Sequence, residues 1–210
     1  MFYPVFIDLQ DRSVLVVGGG VIAERKTESL LEAGARVTVV SPSINPRLRD
    51  WNTGERIAVR LRRFEPEDLD GMLLVISATD DSQTQESVAQ AAASRNVMVN
   101  TVDRPALCDF VVPAVVRRGD VLVAISTSGK SPALSAALRR MIGGLVTDEV
   151  ARTANVLGSV RTEVHERVAG DAERKRVFEQ ILESGIVDWI GRCDDATAIE
   201  RVRKMIDEYV

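Results

Sequence analysis

Val14-Leu15-Val16-Val17-Gly18-Gly19-Gly20-Val21-Ile22-Ala23 runs from a short β-branched and leucine stretch through three glycines into a helix-like segment. Gly18, Gly20 and Ala23 stand in G-x-G-x-x-G/A spacing. The first position permits a tight turn, the second lets backbone approach a pyrophosphate, and a small third residue lets the helix pack on its strand. The N-terminus of such a helix offers free N–H groups and the positive end of its dipole to phosphate. The strand-to-helix context separates this pattern from an ordinary glycine turn.

Working outward, Ser13 to Val102 alternates apolar runs with helix-like stretches. The runs are VLVV (14–17), RVTVV (36–40), IAVRLRRF (57–64), LLVISA (73–78) and VMVNTV (97–102). Alternation of this kind predicts βαβ crossovers and a parallel sheet. One helix is predicted from about Val21 to Glu32 with a stop at Gly34, and another from Ser82 to Ser94 capped by Asp81 or Ser82. After Asp103 the pattern changes. FVVPAVV (110–116) and VLVAIS (121–126), joined by Arg117-Arg118-Gly119-Asp120, suit a hairpin. Pro132 starts a predicted helix to about Ile142, which Gly143-Gly144 breaks. The remainder reads as amphipathic helices separated near Gly170, Gly185 and Gly191. The expected fold class is α/β, a Rossmann-type parallel sheet followed by a small dimerisation region and a C-terminal helical region.

Composition narrows the function classes. The 210 residues are 45% hydrophobic and 28% charged with a net charge of −4, as in ordinary globular proteins. At about 150 residues per domain, the length suits one full core and a smaller appendage. Up to Pro113 there are 12 Lys/Arg against 16 Asp/Glu, and 15 against 15 beyond it, so neither part is a basic nucleic-acid-binding arm. Two cysteines, Cys108 and Cys193, make no disulfide framework, and a lone His165 excludes a His-pair zinc site. These features predict a reducing, cytoplasmic location. The N-terminal MFYPVFIDLQDRS predicts neither a signal peptide nor a membrane span.

In a doubly wound sheet the ligand sits outside the carboxyl ends of the strands. That edge carries Gly18 to Gly20, Ser41, Thr79-Asp80-Asp81 and Asn100-Thr101-Val102-Asp103. Thr79 and Asp80 fall near a cofactor ribose, and Asp103 near a substrate facing the nicotinamide. Capping explains Asp81, and a turn before Arg104-Pro105 is the competing explanation of Asp103. The carboxylate that usually ends the second strand is replaced by Val39-Val40-Ser41-Pro42, which leaves NAD against NADP open. Ser41 could bond the ribose, and Arg47 or Arg49 could reach a 2′-phosphate.

Three stretches resemble the NAD-dependent precorrin-2 dehydrogenases, including the bifunctional dehydrogenase/sirohydrochlorin ferrochelatases of sirohaem biosynthesis. They are FIDLQDRSVLVVGGGVIAERKTESLLEAGARVTVVSP, SATDD, and VNTVDRPALCDFVVPAVVRRGDVLVAISTSGKSPALSAALRR. The helical tail completes a resemblance over essentially the whole chain. It implies an NAD-binding domain at residues 1–112, a dimerisation region at 113–145, a helical domain at 146–210, and a homodimer. It implies NAD-dependent oxidation of precorrin-2 to sirohydrochlorin, with Fe2+ as substrate of a second, lyase-class activity in bifunctional members.

The family's essential carboxylate falls on Asp103, read as a general base. Cofactor contacts carry over to Gly18, Gly19, Gly20, Val21, Ile22, Ser41, Thr79 and Asp80. Substrate contacts are expected from Asn100, Arg104, Ser126, Thr127, Ser128 and Lys130. Cations suit a tetrapyrrole with eight carboxylates, and Arg117, Arg118, Arg139 and Arg140 are further candidates; Asp109 is a second acidic one. No permanent metal site, nucleic acid or membrane is expected. Trifunctional relatives add a methyltransferase domain for which 210 residues leave no room, so that step is expected of another polypeptide.

Two competing readings remain. Ala124 to Ser131 (AISTSGKS) resembles a G-x-x-x-x-G-K-[ST] phosphate loop with its first glycine replaced, so a P-loop-like enzyme using Ser126 to Ser131 is one. A non-catalytic NAD-sensing protein is the other.

Overall fold

The computed structural model describes residues 2–209 and divides into two compact units, 1–112 and 113–210. The first unit holds five parallel strands in the order β3-β2-β1-β4-β5. They are β1 (Ser13–Val17), β2 (Arg36–Val40), β3 (Ala58–Arg60), β4 (Leu74–Ser77) and β5 (Met98–Thr101). The helices between them are α1 (Val21–Glu32), α2 (Pro46–Thr53) and α3 (Ser82–Arg95). The order reverses beside β1, which is paired to β2 on one side and β4 on the other. That is the switch point at which doubly wound sheets open a ligand crevice.

Strand periodicity explains why the sheet is covered on both faces. Val14 and Val16 of β1, Val37 and Val39 of β2, and Leu74 and Ile76 of β4 join one core with Ala23, Leu30, Leu48 and Trp51. Leu15, Val17, Val40 and Val75 point the other way, onto Leu69, Val88, Ala91 and Ala92. Each such aliphatic side chain contributes about 1.5–3 kcal/mol by leaving water.

The second unit pairs β6 (Ala114–Arg118) and β7 (Val121–Ile125) as an antiparallel hairpin. The helices α4 (Pro132–Leu145), α5 (Asp148–Arg167), α6 (Asp171–Glu183), α7 (Ile186–Ile190) and α8 (Asp195–Tyr209) follow. Val156, Val160 and Val164 on α5 form one core with Ile181, Ile190, Ala198, Val202 and Ile206. Their four-residue spacing puts each set on one helical face. Arg152 staples the loop before α8 by bonding the Ile190 and Cys193 carbonyls, both at 2.7 Å, and the Asp195 carboxylate.

Several sequence expectations need correction. Gly143-Gly144 does not break α4, which continues to Leu145, because two mid-helix glycines cost only about 1 kcal/mol each relative to alanine. The predicted strand 57–64 shrinks to three residues, because the chain turns after Arg60, with the Arg62 N–H donating to the Arg60 carbonyl at 2.9 Å. Phe110 to Pro113 lie outside the hairpin, which starts at Ala114. Helix α2 carries Arg47 and Arg49, and Asn45 as N-cap with Pro46 as first residue are its start signal: Asn45 Oδ1 accepts from the Leu48 N–H at 3.0 Å.

Asp68 locks the segment after β3. Its side chain is fully buried and accepts from Arg62 at 2.6 and 2.8 Å, from the Glu65 N–H at 2.9 Å and from Arg60. Burial pushes its carboxyl up, but the bonds from Arg62, Glu65 and Arg60 outweigh that and hold it below the usual value. A carboxyl depressed by folding stabilises the protein above its unfolded pKa, and that contribution disappears as pH falls through the folded one. Asp68→Asn should cost about 1–2 kcal/mol at neutral pH, discounted for arginines still exposed to solvent. It should also flatten the acid loss of stability below about pH 4. Urea unfolding of both proteins from neutral to acid pH measures this, and identical acid limbs would refute it.

Candidate functional site

The carboxyl edge of the sheet encloses a cleft of about 850 Å³. Its floor is the turn from β1 to α1, and its walls are Ser41 to Asn45 after β2, Ala78 to Asp80 after β4, and Val102 to Arg104 after β5. Gly18 takes a φ of +128°, and a Cβ there would lie 2.4 Å from the Ala78 carbonyl oxygen. A Cβ on Gly19 would lie 1.8 Å from the Ser43 carbonyl oxygen. Gly20 differs: nothing lies within 4 Å of its Cβ position. It precedes α1 with no side-chain cap, so the helix start presents its N–H groups to the cleft. Ala23 is fully buried under the sheet.

The walls are tied to this floor. The Asn45 N–H donates to the Gly19 carbonyl at 2.9 Å, and its amide also donates to Glu24 on α1. Gln85, 6% exposed, donates to the Thr79 carbonyl at 2.7 Å and more weakly to that of Val102 at 3.4 Å, joining the loops after β4 and β5. Asp81 caps α3 by accepting from the Gln83 N–H at 3.2 Å.

Asp103 sits at the mouth of the cleft, exposed and with a left-handed φ of 61°. Its neighbours fix this backbone: the Val102 N–H donates to Ser77 and the Arg104 N–H to Thr101, while the Arg104 guanidinium pairs with Glu86 on α3 at 3.0 Å. Lys26 on α1 is half-buried, and burial together with Arg25 lowers its ammonium below the usual 10.5, whereas the charge of Asp103 acts in the opposite sense. A cation therefore sits within electrostatic reach of the exposed carboxylate.

The cleft brings together Gly18, Gly19, Gly20, Ile22, Ser41, Thr79, Asp80, Asp103 and Arg104 from the expected set. Val21 is 67% exposed and does not line it. Asn100 does not either; it is buried, donating to the Phe110 carbonyl at 2.9 Å. Asp109 likewise serves the backbone, pairing with Val99 through its side chain at 3.0 Å. Asn45, Gln85 and Lys26 escaped the sequence reading. Of these only Asn45 carried a local signal, its helix-start pair with Pro46.

Ser126, Thr127, Ser128 and Lys130 belong to the second unit, in the turn between β7 and α4. Its hydroxyls are largely spent within it. Ser126 accepts from the Ser128 N–H, Thr127 from the Ser131 N–H, and Ser131 caps α4 through the Leu134 N–H. A phosphate loop would direct that last hydroxyl to a metal ion. Lys130 is exposed.

Residues 5–114 match the family model described as "Putative NAD(P)-binding", and residues 118–145 match "Sirohaem biosynthesis protein central". The siroheme synthase of Methylobacillus flagellatus is 42% identical over 183 residues, covering 87% of this chain and 39% of the relative. That of Thioalkalivibrio sulfidiphilus is 37% identical over 206 residues, covering 98% and 42%. The chain thus spans about two fifths of the length of these relatives. Among solved structures, "SirC, precorrin-2 dehydrogenase" aligns with a TM-score of 0.73 and 25% identity, over 99% of this chain and 98% of that one.

Gly19 and Gly20 should respond differently to one methyl group. Gly19→Ala should lose about 2 kcal/mol or more of stability, because a backbone carbonyl must move. Gly20→Ala should stay within about 0.5 kcal/mol of the parent protein. Thermal unfolding of both variants is the measurement, and equal melting temperatures would overturn the contrast.

Proposed function

Because the chain belongs to the NAD(P)-binding family, we propose that it oxidises precorrin-2 to sirohydrochlorin, as a dehydrogenase of sirohaem biosynthesis. The observation that carries this is the cleft that gathers a side-chain-free glycine turn and an exposed Asp103 at the switch point of the sheet. The open space at Gly20 and the close packing at Gly18 and Gly19 suit a dinucleotide pyrophosphate. Gly18, Gly19, Gly20, Ile22, Ser41, Thr79 and Asp80 would hold it, with Val21 contributing through its backbone in the first turn of α1. NAD, the cofactor that the family resemblance implies, supplies the hydride acceptor.

The substrate loses a hydride and a proton in this reaction. Asp103 accepts the proton on a carboxylate oxygen, as a general base held at the cleft mouth by the bonded loop around it. Lys26 places a cation within electrostatic reach of Asp103, and Gln85 keeps the Thr79 and Val102 loops in register, so that substrate and cofactor meet in a fixed geometry. A second activity, insertion of Fe2+ into sirohydrochlorin, uses the same carboxylate to take pyrrole protons, with iron as substrate.

We further propose that the chain works as a homodimer in the reducing cytoplasm. Residues 113–145 form the dimerisation region and 146–210 the helical domain. Helix α4 has no buried residue within one chain and exposes Leu134, Met141 and Leu145, an apolar surface suited to a second copy. The Ser126 to Lys130 turn offers the exposed Lys130 to the carboxylates of the tetrapyrrole.

Incubation with precorrin-2 and NAD, followed by NADH formation and sirohydrochlorin absorbance, is the direct test. Asp103→Asn should lower turnover by about 10²-fold or more while leaving NAD affinity nearly unchanged. An inactive parent protein that still binds NAD would favour a sensing role, and an unimpaired Asp103→Asn would remove the assigned base. Repeating the assay from sirohydrochlorin with Fe2+ decides the second activity.

A further inference from the structure

A smaller recess of about 170 Å³ adjoins the glycine cleft and shares Gly18, Ser41, Pro42 and Thr79 with it. Its far side is Arg63 and Phe64, which follow β3, and Asp81 and Thr84 at the start of α3. In a doubly wound fold, the region beyond the second strand receives the adenosine ribose. A carboxylate there bonds both ribose hydroxyls and repels a 2′-phosphate. This chain has none between Val39 and Ser43.

Three arginines close this end of β3, and they are not equivalent. Arg60 and Arg62 are both bound to buried Asp68. Arg63 is exposed, lines the recess, and has no carboxylate within ion-pair distance among the described residues. Asp68 therefore engages two of the three cations and leaves the third beside the recess. Asp81 is the acidic group facing Arg63. Its oxygens are already engaged by the Thr84 hydroxyl at 2.6 Å and the Gln83 N–H. Its carboxyl is held low chiefly by that Thr84 bond, with the charge of Arg63 a smaller contribution.

Ser41 supplies an independent observation. It is only 8% exposed, borders both cavities, and its hydroxyl has no hydrogen-bond partner among the described residues. Ser41 is thus a largely buried residue at the edge of both cavities whose hydroxyl is uncommitted within the protein and available to a ligand oxygen.

We infer that this site accepts a 2′-phosphorylated dinucleotide as well as the unphosphorylated one, with Arg63 as the specificity-determining residue and the Ser41 hydroxyl as a second donor. The inference rests on the reading that the glycine cleft holds a nicotinamide dinucleotide. Arg63 is suited to the task because a guanidinium binds phosphate through paired N–H groups.

Calorimetric titration of the full chain with NAD and with NADP tests it without any turnover. The parent protein should bind the two within about threefold of each other. Arg63→Ala should weaken NADP binding about tenfold and leave NAD within about twofold, and Arg63→Lys should restore part of the loss. A parent protein that binds NAD but takes NADP more than about thirtyfold more weakly would overturn the inference while leaving the dehydrogenase reading intact. Equal weakening of both dinucleotides by Arg63→Ala would also overturn it. If neither dinucleotide binds, the reading of the cleft falls and the inference falls with it.

Discussion

Two backbone carbonyls, those of Ala78 and Ser43, press against the turn that joins β1 to α1, and neither leaves room for a side chain. The loops after β2 and β4 line the cleft through that contact. Because Gly18 and Gly19 carry no Cβ, the loops after β2 and β4 can close onto the turn. Because Gly20 faces open space, the same turn still has one face available. Packing and access are thus divided between adjacent residues of one motif.

The polar staples convert this contact into a site. Asn45 ties the loop after β2 to Gly19 and to α1. Gln85 draws together the carbonyls of Thr79 and Val102, one residue before Asp103. The Cys108 thiol lies against the backbone N–H and carbonyl of Thr101, at 3.1 and 3.2 Å, and so braces the end of β5 from the other side. An exposed carboxylate can then keep a defined position without being buried.

Legibility in the sequence followed the range of the interactions. The alternating faces of β1, β2 and β4 and the start of α1 depend on local periodicity and on one glycine pattern, and both were readable. So was the edge set of Gly18, Ser41, Thr79 and Asp103, because strand ends in a parallel sheet share one edge. Gln85 looked like an ordinary polar residue of an alanine-rich helix, since its role exists only where two distant loops converge. Asn100 misled in the opposite way: it stands at a strand end, but its amide is committed to the Phe110 carbonyl. Arg63 could not be told from Arg60 and Arg62 in sequence, because only the buried Asp68 distinguishes them. The helical unit announced its breaks at Gly170 and Gly185, whereas Gly143-Gly144 passed unbroken through a helix.

We propose that chemistry takes place at the carboxyl edge of the five-stranded sheet, with cofactor on the glycine turn and Asp103 beside the substrate. A crystal structure with bound dinucleotide tests that most directly. Pyrophosphate density is expected against Gly18 to Gly20 at the start of α1, and a nicotinamide ring on the side of the cleft that carries Asp103. Pyrophosphate seated on the Ser126 to Ser131 turn, with the glycine cleft left empty, would contradict it.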